Sequence, residues 1–85
     1  MTTLLIADDQ TMVREALAAL LGMEPDFEVI AQCARGDEVL PAVRHRSPEV
    51  ALLDVNMPGL DGLEVAALLA EEFPQVRVVI VTTYG

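Results

Sequence analysis

The chain has 85 residues, 53% of them hydrophobic, and its 14 Asp and Glu residues against five Arg and no Lys give a net charge of −9. Clustered cations supply the sequence-independent part of nucleic-acid affinity and the attraction to anionic lipid, so this balance excludes broad binding of nucleic acid or membrane by this segment. The N-terminus carries no basic stretch followed by a long apolar one, and no apolar run approaches the ~18 residues of a membrane helix, so the chain reads as cytoplasmic.

Thr3-Leu4-Leu5-Ile6-Ala7 is a short apolar run closed by Asp8 and Asp9, and it reads as a buried strand. Helical spacing follows: Val13, Leu17, Leu20 and Leu21 fall on one apolar stripe, Gln10 and Thr11 stand where the helix begins, and Gly22 and Pro25 end it. Met12, beside the acidic pair, reads as loop packing. Phe27, Val29, Ala31 and Cys33 then alternate with Glu28, Ile30, Gln32 and Ala34, the pattern of a half-exposed strand at a sheet edge. Cys33, the single cysteine, cannot form an internal disulfide and is expected to be a buried, inert thiol.

Gly36-Asp37-Glu38 starts a second helix, with Asp37 placed to cap free backbone N–H groups and Val39, Leu40 and Val43 as its buried stripe. Pro41 is tolerated there because few N–H partners are lost in a first turn. Ser47-Pro48 should end the helix by driving Ser47 into an extended state. His45, between Arg44 and Arg46, is expected to face solvent at the negative pole of that helix. Val50 to Val55 is apolar apart from Asp54, as in a central parallel strand, and Asn56-Met57-Pro58-Gly59 is a turn. Asp61 caps a third helix carrying Leu63, Ala66, Ala67 and Ala70, which ends in Glu71-Glu72 before Pro74. Val78 to Val81 is a fourth strand running into Thr82 and Thr83.

Strands and helices alternate at the spacing of right-handed βαβ crossovers, which predicts an α/β fold with an open, doubly wound parallel sheet. Ligands of such sheets bind beyond the carboxyl ends of the strands, where the strand order reverses. Asp8, Asp9, Asp54 and Thr82 all stand at carboxyl ends. Any one of these acids has an ordinary explanation as a turn or cap residue. Together they crowd negative charge that only a proton, a cation or a reaction intermediate relieves. Carboxylates in this number suit a hard divalent cation such as Mg²⁺. With the cation bound, Asp54 is the candidate nucleophile toward phosphorus, and the Thr82 hydroxyl stands where it could donate to a phosphoryl oxygen.

The ordered set Asp8-Asp9, Leu52-Leu53-Asp54-Val55, Met57-Pro58-Gly59, Asp61-Gly62 and Thr82 resembles the receiver domain of two-component response regulators. Ala7-Asp8-Asp9-Gln10 and Val81-Thr82-Thr83-Tyr84 are most similar to the NarL/LuxR-type subfamily. The resemblance implies a flavodoxin-like sheet of strand order 2-1-3-4, with residues 1–85 forming the N-terminal portion of one receiver domain, through its fourth strand. It implies Asp54 as phosphoacceptor for a histidine kinase or a small phosphodonor. Mg²⁺ would be ligated by Asp9, Asp54 and the backbone carbonyl of Asn56, with Asp8 acting through water. Thr82 would contact the phosphoryl group and act as a switch. The family's fifth strand, the lysine beyond it and a DNA-binding output domain lie outside this sequence, and the chain would not be an enzyme. A mean hydropathy of +0.43 exceeds what a small monomer hides, so the chain is expected to be part of a larger domain or a homo-oligomer; an uncovered, β-branched edge at Val78 to Val81 would associate through that edge or by exchanging elements. Two alternatives are an interaction module that is not phosphorylated and a phosphohydrolase of the haloacid-dehalogenase type. The latter needs two aspartates separated by one residue, whereas Asp8 and Asp9 are adjacent.

Overall fold

In a computed structural model, residues 1–81 are described. The elements are β1 (Thr2–Ala7), α1 (Thr11–Gly22), β2 (Phe27–Cys33), a 3-10 turn (Gly36–Glu38), α2 (Val39–Arg46), β3 (Val50–Asp54), α3 (Gly62–Glu72) and β4 (Arg77–Val81). All strand pairs are parallel, as the alternation of elements predicts, and the order is β2-β1-β3-β4, the one that the resemblance implies. The reversal of order falls at β1, flanked by β2 and β3.

One face of the sheet carries the main core. Leu5 and Ala7 of β1, Cys33 of β2, and Ala51 and Leu53 of β3 pack there against Val39 and Val43 of α2 and Val65 and Leu69 of α3. Leu4 and Ile6 point the other way, as strand alternation requires, toward the face where α1 lies on β1 and β2. Strand β2 departs from simple alternation. Its register with β1 shifts between Leu4 and Leu5, so that Leu4 faces Val29, Leu5 faces Ala31 and Ile30 is skipped. A bulge of this kind reverses the side-chain phase, and Val29 therefore does not share a face with Ala31 and Cys33.

Two helix stripes are rotated from the sequence expectation. In α1, Val13, Arg14, Leu17, Ala18 and Leu21 are the half-buried residues, and Leu20 is 64% exposed. At about 100° per residue, Arg14 and Ala18 extend the stripe on the flank away from Leu20, which falls outside it. Met12 is not loop packing but an exposed residue of α1. In α3 the buried line is Gly62, Val65 and Leu69, whereas Leu63 is 61% exposed and Ala67 and Ala70 are also exposed. Backbone packing sets this phase: a Cβ on Gly62 would lie 2.3 Å from the Asp54 carbonyl oxygen, so the start of α3 is pressed onto the end of β3.

Helix ends confirm one expectation and supply two further corrections. Asp61 caps α3 as expected, accepting from the Glu64 N–H at 2.8 Å while Glu64 returns the bond to the Asp61 N–H at 3.1 Å. Asp37 caps nothing; it pairs with Arg35 at 2.9 Å, and Glu38 instead reaches back to the N–H groups of Ala34 and Arg35. Ser47 is left-handed (φ 51°) and not extended, its N–H closing α2 on the Val43 carbonyl at 2.8 Å. The clash before proline forbids continued right-handed helix, and a left-handed residue satisfies that restriction while also capping the helix. His45 is exposed, as predicted, and Glu72 at the end of α3 faces Arg44 of α2, whose guanidinium lies over the Phe73 ring.

The 3-10 turn is fastened to the turn after β3: the Gly36 N–H donates to the Pro58 carbonyl at 3.0 Å, and a Cβ on Gly36 would meet the Leu60 oxygen at 1.7 Å. Gly36→Ala is therefore expected to lower stability by about 3 kcal/mol in urea unfolding. Gly22→Ala, where a Cβ meets nothing within 4 Å, is expected to raise it by about 0.5–1 kcal/mol.

Candidate functional site

Parallel pairing of β1 with β3 sets Ala7 opposite Leu53, so the next residue of each strand, Asp8 and Asp54, leaves the sheet side by side. Both are buried, each 1% exposed, while Asp9 is exposed. One carboxylate oxygen from each of Asp8, Asp9 and Asp54 can be chosen so that all lie within 4.8 Å of one another. The acids that the sequence pattern singles out thus converge at one point, beyond the carboxyl ends of the central strands and at the order reversal.

Asp8 is held at several atoms. Its N–H donates to the Cys33 carbonyl at 3.0 Å, its Oδ1 accepts from the Gln10 N–H at 2.9 Å, and its carbonyl accepts from the Arg14 Nη1 at 2.8 Å. Its second carboxylate oxygen, Oδ2, is buried with no hydrogen-bond partner. Burial pushes the Asp8 carboxyl above its ordinary value of 3.8, and the charges of Asp54 and Asp9 add to the rise; the Gln10 N–H and the Arg14 guanidinium oppose it.

Hard oxygen donors at these separations, one of them a buried carboxylate oxygen without a hydrogen-bond partner, fit a small divalent cation. Asn56 lies exposed in the turn after β3, and in the same turn Gly59 takes a positive φ of 81°. Thr82 lies outside the described residues, as does Tyr84. Cys33, next to the site at the end of β2, is buried, and desolvation with a contribution from Glu38 pushes its thiol up to about 11, which leaves it protonated and inert.

Sequence reasoning did not single out Arg14. Glu38 was read as part of a helix start, but its acceptance of the Ala34 and Arg35 N–H groups was not foreseen. Arg14 carries a subtler signal, a cation in the first turn of a helix, where the dipole disfavours it.

Residues 4–85 match the family profile described as the response regulator receiver domain. The transcriptional regulatory protein LnrK of Bacillus subtilis is 36% identical over 84 residues, which are 99% of this chain and 38% of that protein. A protein-glutamate methylesterase/protein-glutamine glutaminase of Nitrosospira multiformis is 36% identical over 80 residues, 94% of this chain and 22% of that protein. The crystal structure of a DNA-binding response regulator of the LuxR family from Staphylococcus aureus superimposes with a TM-score of 0.92 and 38% identity, covering 99% of this chain and 70% of that one. The chain spans less than half the length of these curated relatives. One segment is thus shared by a regulator and an enzyme, and the likeness is that of the segment.

The buried Asp8 carboxylate, held between two other acids, works against folding when no cation is present. Its raised pKa means that the native state keeps this proton to higher pH than the unfolded chain, so its contribution to stability falls as pH rises from 3.8 through the raised value. Asp8→Asn keeps the acceptor for Gln10 and removes the repulsion. In chelator at neutral pH it is expected to stabilise the protein by roughly 1–3 kcal/mol, read from urea unfolding.

Proposed function

Since the chain belongs to the response regulator receiver domain family, we propose that Asp54 is its phosphoacceptor, charged by a histidine kinase or a small phosphodonor. One observation carries the reading: Asp54 sits at the end of a central strand with its carboxylate grouped against Asp8 and Asp9. A carboxylate oxygen of Asp54 attacks phosphorus, the bond from phosphorus to the kinase imidazole nitrogen breaks, and that nitrogen keeps the electron pair and takes a proton. The β3 strand and the packed Gly62 contact hold the nucleophile still, so that the attack is directed by position.

Asp9, Asp54 and the Asn56 carbonyl would hold Mg²⁺, with Asp8 acting through water, and the cation would supply positive charge toward the phosphoryl oxygens. Thr82 is proposed to donate its hydroxyl to a phosphoryl oxygen and so to report phosphorylation. By analogy with the LuxR-family relatives, the module would act in the cytoplasm on a DNA-binding transcription-regulator output domain. Among the described residues no helix is long and apolar enough to cross a membrane. Val79 and Ile80 are exposed on β4, the strand at one end of the described sheet, and this edge is the proposed surface for self-association. The phosphohydrolase alternative is not favoured, because the family match and the adjacency of Asp8 and Asp9 both speak against it.

Treatment of the protein with acetyl phosphate and Mg²⁺ is expected to add the mass of one phosphoryl group, placed on Asp54 by peptide mapping. Asp54→Asn should gain none, and chelation should abolish the gain. A wild-type protein that stays unmodified at Asp54 overturns the reading.

A further inference from the structure

Resting on that reading of the site, a second question is what holds Asp9, the exposed acid, in register with two buried ones. Asp9 has no side-chain hydrogen bond or ion pair among the described residues. Its direction therefore depends on the backbone that leads into it.

That backbone is fastened from an unexpected place. Arg14 lies in the first turn of α1, where the partial positive charge of the helix end disfavours a cation, and no acid occupies that turn to offset it. Gln10, at the N-cap, makes no side-chain capping bond either. Arg35 pairs with Asp37 and Arg44 with Glu72, whereas the Arg14 guanidinium has a main-chain partner. It donates through Nη1 to the Asp8 carbonyl oxygen at 2.8 Å, and its side chain is half-buried in doing so.

The Asp8 carbonyl belongs to the planar peptide unit that joins Asp8 to Asp9. With the Asp8 N–H tied to Cys33 and its Oδ1 tied to the Gln10 N–H, the Arg14 bond fixes the remaining rotation, and with it the point from which the Asp9 side chain departs. We infer that Arg14 is a positioning residue, whose guanidinium locks the Asp8–Asp9 peptide plane so that Asp9 is presented to the divalent cation beside Asp8 and Asp54.

The assignment is tested by a difference in sign. Coulomb's law alone says that removing a cation near a cation site tightens metal binding. Loss of positioning weakens it, typically by about tenfold for a residue that orients a ligand. Arg14→Met keeps much of the apolar stem and removes both donor and charge; Arg14→Lys keeps one donor and the charge. Mg²⁺ affinity is measured by calorimetry, and the Asp9 and Gln10 amide resonances are followed by NMR in chelator, with circular dichroism confirming that each variant is folded.

Arg14→Met is expected to bind Mg²⁺ about tenfold more weakly. Its Asp9 and Gln10 amide signals should shift or broaden in the cation-free protein, and Arg14→Lys should recover most of both effects. Mg²⁺ affinity in Arg14→Met equal to or tighter than wild type overturns the assignment, as do amide resonances that stay in place. Failure of the wild-type protein to bind Mg²⁺ overturns the reading of the site itself. The two failures are told apart by the amide signals, which report the turn without any cation.

Discussion

Parallel pairing of β1 with β3 is the constraint on which the rest depends, because it brings together carboxylates that repel one another. Asp8 and Asp54 emerge from adjacent strands in register, each buried, with no freedom to move apart without breaking the ladder between Ala7 and Leu53. Hydrophobic burial of Leu5, Ala7, Ala51 and Leu53 beneath α2 and α3 maintains that ladder. The sheet thus stores an electrostatic strain at one edge, and the apolar core stabilises the fold against it.

Around this edge the loops are held by backbone contacts more than by side chains. Gly36 joins the turn after β2 to the turn after β3, and Gly62 presses α3 onto the Asp54 carbonyl. Glu38 and Asp61 close the remaining N–H groups at the start of the 3-10 turn and of α3. Short loops fixed in this way restrict how far the acids can spread when repulsion acts, so a proton or a cation relieves it more readily than rearrangement does.

Much of this was legible in the residues. Apolar runs closed by acids located β1, β3 and the site, and the half-exposed pattern of residues 27 to 34 placed β2 at an edge, which the order β2-β1-β3-β4 matches. What escaped was phase. Periodicity alone allowed Leu20 and Leu63 into the buried stripes, because it does not register that Arg14 lies on the sheet-facing side of α1 or that Gly62 must approach a carbonyl. The bulge at Ile30 was invisible for a similar reason: alternation of residue types continues through it while the pairing partner changes. Ser47 escaped because the rule for a residue before proline excludes one conformation without choosing between the remaining two. In the site itself, the convergence of Asp8, Asp9 and Asp54 was legible from strand ends, whereas the hold on the Asp8 carbonyl was not, since it joins a side chain to a main-chain oxygen six residues away.

The contrast between the two adjacent acids has a kinetic meaning. Asp8 is buried and tied down, whereas Asp9 is exposed and has no side-chain partner among the described residues. A cation drawn to this cluster would meet Asp9 first, with most of its hydration shell intact, and would come under the buried charge of Asp8 and Asp54 afterwards. Capture would then be governed by the accessible charge and residence by the enclosed one. The cluster would divide into an entrance and a hold, with Asp9 on the side open to solvent.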